Sequence, residues 1–266
     1  METPMIIGII QARMGSSRLP GKVLMDLEGE PVIARTYDRA ARAKMLDRVL
    51  IATSTMEEDN PIAEFCERHS VPCYRGHGTD VLDRMYHAAK DNNAQIVVRI
   101  TGDCPLIDPD VIDRCVQVFL QAQPPVDFVA NRLPGHRTYP VGLDTEVCSF
   151  DALARAWSKA DRAYQREHVM PFIYETPGRF RILCVDAHAD YSHLRWTLDT
   201  EEDLILLREV YRRFEGRDTF SWVDVLALFE REPELSRLNA GVSQRSYQDE
   251  DTRFTGEKEE RRSNDR

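Results

Sequence analysis

The sequence lacks the features that mark several classes of protein. Its six cysteines include no C-x-x-C pair, which argues against a zinc ribbon or a thioredoxin-like redox site. No apolar run approaches the ~20 residues of a membrane span, and no internal repeat with a period of about 20 to 50 residues is present. The apolar stretch at 5–12 is too short for a signal peptide and lacks the basic residues with which a signal peptide begins. We therefore expect a cytoplasmic protein with reduced, mostly buried thiols.

The sequence also has no excess of positive charge. The 45 acidic side chains outnumber the 35 basic ones, and the resulting net charge of −10 argues against binding to nucleic acid over a wide face. An anionic ligand must therefore meet a local cluster of basic side chains. With 42% hydrophobic and 30% charged residues, the 266-residue chain has the composition of a soluble globular protein and is long enough for one large α/β domain.

The first half of the chain alternates apolar runs of strand type with amphipathic stretches of helix type. This pattern is typical of βαβ units and a largely parallel sheet. Apolar runs without alternation predict strands that are buried on both faces. We predict strands at 5–12, 49–54, around 73 and at 96–101, with helices beginning near Pro31, Glu57 and Asp80.

The second half is less regular. A helix after Ile107 has a clear start, because Asp108 can cap it and Pro109 suits its first turn, and it should end near 122. We expect 1–243 to form one domain and the charged segment 244–266, which has little apolar content, to be disordered. Further strands are predicted at 127–131, 145–149 and 180–186, and further helices at 151–160, 199–214 and 222–231.

The strongest functional signal is the loop QARMGSSRLPGK at 11–22, directly after the first strand. It lies at the carboxyl end of a buried strand, where open α/β sheets bind their ligands. Glycines let the loop backbone approach a phosphate, and Arg13, Arg18 and Lys22 can neutralise several phosphate charges. The spacing is neither a Walker A motif nor a G-x-G-x-x-G fingerprint. The loop predicts a polyphosphate site, the alternative being a solvated basic turn.

A metal site is predicted beside this loop. Asp103 follows the predicted strand at 96–101 and faces the same crevice. Because Mg²⁺ on a polyphosphate is held by one or two carboxylates plus substrate oxygens, Asp103 is the first candidate ligand. Asp199 is the best partner, although it is equally suited to cap the following helix in a capping box with Glu202.

Candidates for an acceptor site lie in the second half. Asp144 and Glu146, two residues apart on one face of a strand, can bind acceptor hydroxyls, hold an additional metal or pair with arginines. Arg166 suits an acidic substrate because it is a cation, and His168 either joins it or packs in the interior. The D-x-D sequence at 108–110 is better explained by the helix cap.

The loop ARMGSSRLPGK at 12–22 is similar, position by position, to the signature loop of the CMP-sugar synthetases, notably the enzymes that activate 3-deoxy-manno-octulosonate. TGDCPL around Asp103 and LDTEEDL around Asp199 match the two aspartates that hold Mg²⁺ in that family. DVLDR at 80–84, PVGLDTEV at 140–147 and REHVMPFIY at 166–174 resemble the spore coat polysaccharide biosynthesis protein F branch, which is acylneuraminate cytidylyltransferase-like. Together the matches cover roughly 5–207.

The resemblance implies a single GT-A-like α/β domain, with a mostly parallel mixed sheet of about seven strands flanked by helices. It implies Mg²⁺-dependent transfer of CMP from CTP to an acidic sugar of the nonulosonate or octulosonate type, with release of pyrophosphate, for surface glycan biosynthesis. It also implies a homodimer, which is favoured further by apolar segments of the second half that have no evident sheet partners. The implied nucleotide-binding residues are Ala12, Arg13, Gly15, Ser16, Arg18, Lys22, Asp80 and Arg84; the metal ligands are Asp103 and Asp199; the acceptor-binding residues are Asp144, Glu146, Arg166 and His168; and Arg13, Arg18, Lys22 and Asp103 are the catalytic set.

One departure leaves the acceptor open. The octulosonate enzymes carry Ser-Gly-Thr-Asp-Arg where this chain reads Gly78-Thr79-Asp80-Val81, so that Arg84 becomes the candidate replacement for the missing arginine. The alternatives are a nucleotidyltransferase that uses another nucleoside triphosphate, a sugar phosphate or a non-sugar acid, and a catalytically silent binding module of the same fold.

Overall fold

The order of strands and helices follows the predicted alternation. The computed structural model describes residues 4–243, so that the predicted disorder of 244–266 lies outside the described residues. The strands are β1 (Ile6–Gln11), β2 (Asp26–Leu27), β3 (Glu30–Pro31), β4 (Arg48–Ser54), β5 (Cys73–Gly76), β6 (Ile96–Thr101), β7 (Phe128–Ala130), β8 (Arg132–Leu133), β9 (His136–Arg137), β10 (Glu146–Ser149) and β11 (Ile182–Cys184). The α-helices are α1 (Val32–Ala40), α2 (Asn60–Arg68), α3 (Val81–Asp91), α4 (Pro109–Gln121), α5 (Phe150–Lys159), α6 (Ala163–His168), α7 (Pro171–Tyr174), α8 (Glu201–Arg213) and α9 (Trp222–Arg231), with short 3-10 helices at Lys22–Leu24, Glu57–Asp59 and Pro233–Arg237.

Seven strands form one mixed sheet in the order β11-β7-β10-β6-β1-β4-β5. Strand β1 runs parallel to both of its neighbours, β4 and β6, β5 runs parallel to β4, and β11 runs parallel to β7. Strand β10 is antiparallel to its neighbours β6 and β7. The predicted α/β fold with a mostly parallel mixed sheet flanked by helices is confirmed.

The sheet is buried on both faces, as the continuous apolar runs predict. In β1, Ile6 and Ile10 join a core with α1, α2, α4, α8 and α9, whereas Ile7 and Ile9 join a second core with α3, α5 and α7. Successive side chains of a strand point to opposite faces of the sheet, so that one strand contributes side chains to both cores. Full burial of one isoleucine stabilises the fold by about 2 kcal/mol. No helix among residues 4–243 is long and apolar enough to cross a membrane.

The topology places the two main motifs side by side. Gln11 at the end of β1 pairs with Thr101 at the end of β6, so that the loop at 12–22 and the turn at 102–105 leave the same edge of the sheet. The Gly102 N–H donates to the Gln11 carbonyl at 2.9 Å, and a Cβ at Gly102 would come within 3.0 Å of that oxygen. A larger residue at 102 would therefore push the two segments apart.

The alternative role of Asp199, as the N-cap of the following helix, is wrong. Thr200 is the N-cap of α8, and Asp203 rather than Glu202 closes the capping box with it. Asp203 has the better position, because its carboxylate accepts from the backbone N–H groups of both Asp199 and Thr200. The Asp199 carboxylate is therefore not needed at the helix terminus. At α4, by contrast, the predicted cap is confirmed, since Asp108 accepts from the N–H groups of Asp110 and Val111.

The apolar segments of the second half find partners in the same sheet, as β7, β10 and β11. They therefore give no reason of their own to expect a dimer. Two short hairpins, β2–β3 and β8–β9, were not predicted, because strands of two residues are too short to show an alternation of apolar and polar side chains. Four of the six cysteines are buried, whereas Cys73 is exposed and Cys184 is partly exposed.

Candidate active site

A cavity of about 1300 Å³ opens at the carboxyl ends of β1 and β6. Its walls are the loop at 12–22, the turn after β6, the hairpin β8–β9 and the end of α6. Two predicted site residues, Asp80 and Arg166, do not line it. The predicted residues that do are Ala12, Arg13, Gly15, Ser16, Arg18, Lys22, Arg84, Asp103, Asp144, Glu146, His168 and Asp199.

The basic loop is anchored at both ends. The Met14 N–H donates to the Asp59 carboxylate at 2.6 Å, and the Gly21 N–H donates to the Met14 carbonyl at 2.9 Å. Gly21 has φ +72°, a left-handed conformation that glycine adopts without strain. Leu19 is buried under the loop. These contacts fix the loop backbone and hold its cationic side chains at the cavity.

Lys22 brings the two candidate metal ligands together. Its ammonium nitrogen Nζ lies 2.5 Å from Asp103 Oδ2, 2.7 Å from Asp199 Oδ1 and 2.7 Å from the Leu198 carbonyl oxygen. Burial by itself lowers the pKa of Lys22, but the charges of Asp103 and Asp199 outweigh it and raise that pKa above its ordinary value. One cation therefore already contacts both carboxylates, and the lysine stays charged there.

Asp199 is surrounded by further cations. Arg18 and Arg195 lie 2.8 Å and 2.6 Å from its second oxygen, Oδ2. Burial by itself raises the pKa of Asp199, but Lys22 and the two arginines outweigh it and hold that pKa below its ordinary value. Arg195 also donates two hydrogen bonds of 3.0 Å to the fully buried Asp203. Sequence reasoning missed Arg195, because a spacing of four residues outside a helix does not indicate contact.

The carboxylates of Asp103 and Asp199 fit a divalent cation. The Lys22 ammonium shows that a single cation between them reaches both, and carboxylate oxygens are the ligands that Mg²⁺ prefers. Asp103 and Asp199 would hold the ion, provided that Lys22 moves aside.

Arg84 is a buried cation without a carboxylate partner. It lines the cavity and is 1% exposed, its Nε has no hydrogen-bond partner, and its Nη2 donates to the Gly78 carbonyl at 3.3 Å. Burial, opposed by the more distant charge of Asp59, lowers the pKa of Arg84 to about 10. Among residues 4–243 it forms no ion pair. Buried charges are normally paired, so the arrangement suits an anionic ligand.

Three further guanidinium groups of the cavity wall share two carboxylates in ion pairs. Arg99 contacts Glu146 and donates to Gln11 Oε1 at 2.8 Å. Arg137 donates two hydrogen bonds to the Asp144 carboxylate, one of them 2.8 Å long, and Arg132 lies 3.4 Å from the same carboxylate. Of the alternatives for Asp144 and Glu146, the structure thus shows pairing with arginines. A charge inside the apolar run IVVRIT was a signal that could have found Arg99, whereas Arg132 and Arg137 left no such signal.

The end of α6 reaches the cavity through Glu167 and His168. Glu167 lies 3.2 Å from Arg13 of the basic loop. The next residue, Val169, has φ +70° and ψ −60°, a strained conformation for a β-branched side chain, and the Met170 N–H donates to the His168 carbonyl at 2.8 Å. This tight turn stops the helix and holds His168 at the cavity wall. Strain of this kind is concentrated at functional sites in proteins.

Comparison with known proteins agrees with this geometry. A family model described as cytidylyltransferase matches residues 7–220. The chain belongs to the cytidylyltransferase family. The family resemblance that the basic loop and the two aspartates indicate is thereby confirmed.

Two relatives and one solved structure are similar to this cytidylyltransferase over nearly their whole length. The spore coat polysaccharide biosynthesis protein SpsF of Bacillus subtilis is 30% identical over 240 residues, 87% of this chain and 96% of that protein. A 3-deoxy-manno-octulosonate cytidylyltransferase of Chlorobium limicola is 40% identical over 251 residues, 79% of this chain and 98% of that protein. The structure of a cytidylyltransferase from Leptospira borgpetersenii is similar with a TM-score of 0.84 and 30% identity, covering 92% of this chain and all of that one.

Proposed function

We propose that this cytidylyltransferase transfers CMP from CTP to an acidic sugar of the nonulosonate or octulosonate type, releasing pyrophosphate, in surface glycan biosynthesis. The observation that carries the proposal is one cavity that is lined by the basic loop, by the buried Arg84 without a carboxylate partner, and by three arginines that share two carboxylates. The names of the B. subtilis and C. limicola relatives support the substrate class.

The nucleotide would lie along the basic loop. Arg13, Arg18 and Lys22 would contact the β- and γ-phosphate oxygens, and Arg84 would gain the anionic partner that it lacks within the protein. Phosphoryl and nucleotidyl transfer depend mainly on alignment and on neutralisation of charge. These side chains therefore supply what in-line attack of an acceptor hydroxyl on the α-phosphorus requires.

Asp103 and Asp199 would hold Mg²⁺, which when bound would neutralise phosphate charge and lower the pKa of the acceptor hydroxyl. Arg195 and the buried Asp203 fix the position of Asp199. Lys22, once displaced from the two carboxylates, would donate to phosphate oxygens.

The acceptor would lie under the hairpin β8–β9. The three guanidinium groups there share two carboxylates in ion pairs, so that they can also pair with one further negative charge. We assign this charge to the carboxylate of the acceptor. Asp144 and Glu146 would act by holding the arginines in place, and His168 would contact acceptor hydroxyls. The three arginines are Arg99, Arg132 and Arg137.

The test is a panel of nucleoside triphosphates against sugar acids, sugar phosphates and non-sugar acids, with pyrophosphate release and the mass of the product as readouts. We expect turnover with CTP and a keto-sugar acid. With that acceptor, Arg137→Gln should raise the KM for the acid by about tenfold or more while leaving the KM for CTP unchanged. Turnover only with another triphosphate or a sugar phosphate contradicts the proposal. Absence of pyrophosphate release with the whole panel favours a silent binding module.

A homodimer is proposed on the family resemblance alone. Static light scattering over a range of concentrations should give twice the chain mass of 30.7 kDa. A monomer mass at every concentration contradicts it.

A further inference from the structure

Lys22 lies between the two candidate metal ligands, Asp103 and Asp199. Its ammonium group contacts one oxygen of each carboxylate, Asp103 Oδ2 at 2.5 Å and Asp199 Oδ1 at 2.7 Å. We propose that Lys22 is an internal counter-ion that fills the metal position of the nucleotide-free protein, so that a divalent ion binds only together with the nucleotide. The inference depends on the metal pair of the proposed function.

Lys22 and a divalent ion would compete for Asp103 Oδ2 and Asp199 Oδ1. A lysine ammonium and a divalent ion in contact with the same carboxylates would repel each other strongly, because the site is largely shielded from water. The Lys22 residue is only 9% exposed. A free divalent ion would therefore have to expel the ammonium group without offering it another anion.

The nucleotide supplies that anion. A lysine side chain is a point charge on a flexible stem. The polyphosphate would bring phosphate oxygens, which accept hydrogen bonds, to the cavity that Lys22 already lines. When the ammonium turns to the phosphates, it releases Asp103 Oδ2 and Asp199 Oδ1 at once. Arg18 and Arg195, which bind the other oxygen of Asp199, keep that carboxylate in place.

The chain offers a matched control. Lys22→Met removes the charge that lies between the two carboxylates. Arg18→Met removes the same charge from Asp199 but leaves the gap between the carboxylates filled. A general increase in negative potential would act in both variants, whereas opening of the metal position occurs only in the first.

The experiment is an EPR titration with Mn²⁺ in the absence of nucleotide. We expect no binding at this site by the wild type up to about 1 mM Mn²⁺, and one ion bound at least about tenfold more tightly by Lys22→Met. Arg18→Met should behave as the wild type, and adding Asp103→Asn to Lys22→Met should abolish the gain. Adding the non-hydrolysable analogue α,β-methylene-CTP to the wild type should produce a protein-bound Mn²⁺ complex.

Tight binding of one Mn²⁺ by the nucleotide-free wild type overturns the inference, and this arm needs no variant to fold. An equal gain in Arg18→Met, or no gain in a folded Lys22→Met, also overturns it while leaving the proposed function intact. If the wild type binds no Mn²⁺ even with the CTP analogue, the metal pair itself is wrong, and the inference falls with it.

Discussion

Arg166 and Asp80 are 86 residues apart in the chain and form an ion pair, with Arg166 Nη2 2.6 Å from Asp80 Oδ2 and Nε 2.8 Å from the same oxygen. Asp80 is the N-cap of α3, and Arg166 also donates to the Trp157 carbonyl in α5. The pair thus ties α6 to α3 and α5. These two residues, which the sequence assigns to the nucleotide and the acceptor, do not line the cavity but position the helices that carry Arg84 and His168.

We predict that this pair contributes to stability rather than to substrate binding. A double-mutant cycle with Asp80→Asn and Arg166→Gln should give a coupling energy of about 1 kcal/mol, since asparagine preserves the cap and only the ion pair is removed. Denaturant unfolding measures it. The exposed pair of Asp151 and Arg155, 4.0 Å apart, is the control and should show almost no coupling. A coupling no larger than that of the control contradicts the prediction.

Asp103→Asn and Asp199→Asn should each lower kcat by about 100-fold, because each removes a charge from a site that must balance a dication. The double variant should be scarcely worse than the poorer single one, since two ligands of one ion act as a unit. Steady-state kinetics at saturating Mg²⁺ measures these effects. Asp199→Asn should also lower the Tm more than Asp103→Asn, because it leaves three cations without their shared partner.

The helix cap supplies the control for these variants. Thr200→Ala should lower the free energy of unfolding by about 1 kcal/mol through loss of the α8 cap and leave kcat nearly unchanged. Near-normal turnover by Asp199→Asn removes that residue from the metal site.

Arg84→Met should weaken CTP binding without weakening the fold. The guanidinium group is buried without a carboxylate partner, so that replacing it removes a desolvation cost and should leave the Tm unchanged or higher. The KM for CTP should rise by about tenfold or more, because a charge-assisted contact to the phosphates is lost. Arg75→Met is the control with the opposite expected result, a lower Tm and an unchanged KM for CTP. Arg75 donates to Ser54 and Asn60 and does not line the cavity. A lower Tm with an unchanged KM for Arg84→Met contradicts the prediction.

The contribution of Asp144 to stability should depend on pH. Burial by itself raises its pKa, but hydrogen bonds and charges from Arg137 and then Arg132 outweigh it and hold the pKa below the ordinary 3.8. The folded state therefore binds this proton less readily than the unfolded state, and the contribution is complete above pH 3.8 and is lost as the pH falls through the folded pKa.

The Tm difference between the wild type and Asp144→Asn, measured by calorimetry, should be constant from about pH 5 to pH 8 and shrink below about pH 4. A difference that stays constant throughout acid conditions contradicts the pairing of Asp144 with the arginines.

Features that depend on neighbours along the chain can be predicted from the sequence alone. The apolar runs of β1 and β6 predict buried strands because burial on both faces requires continuous apolar residues, and Asp108 predicts the start of α4 because capping is a local hydrogen bond. The basic loop and Asp103 were predicted at one edge of the sheet for the same kind of reason, since parallel strands end together.

Which charged side chains meet depends on the tertiary structure. Lys22 contacts Asp103 and Asp199, which are 81 and 177 residues further along the chain, and these contacts depend on the paths of three loops that no periodic pattern describes. The same holds for Arg84. The sequence predicts an arginine in a helix, but its burial without a carboxylate partner follows from the packing of α3 beneath the cavity. Ion pairs form between side chains that are close in space. A local sequence pattern indicates which residues are able to form ion pairs, but not which pairs form.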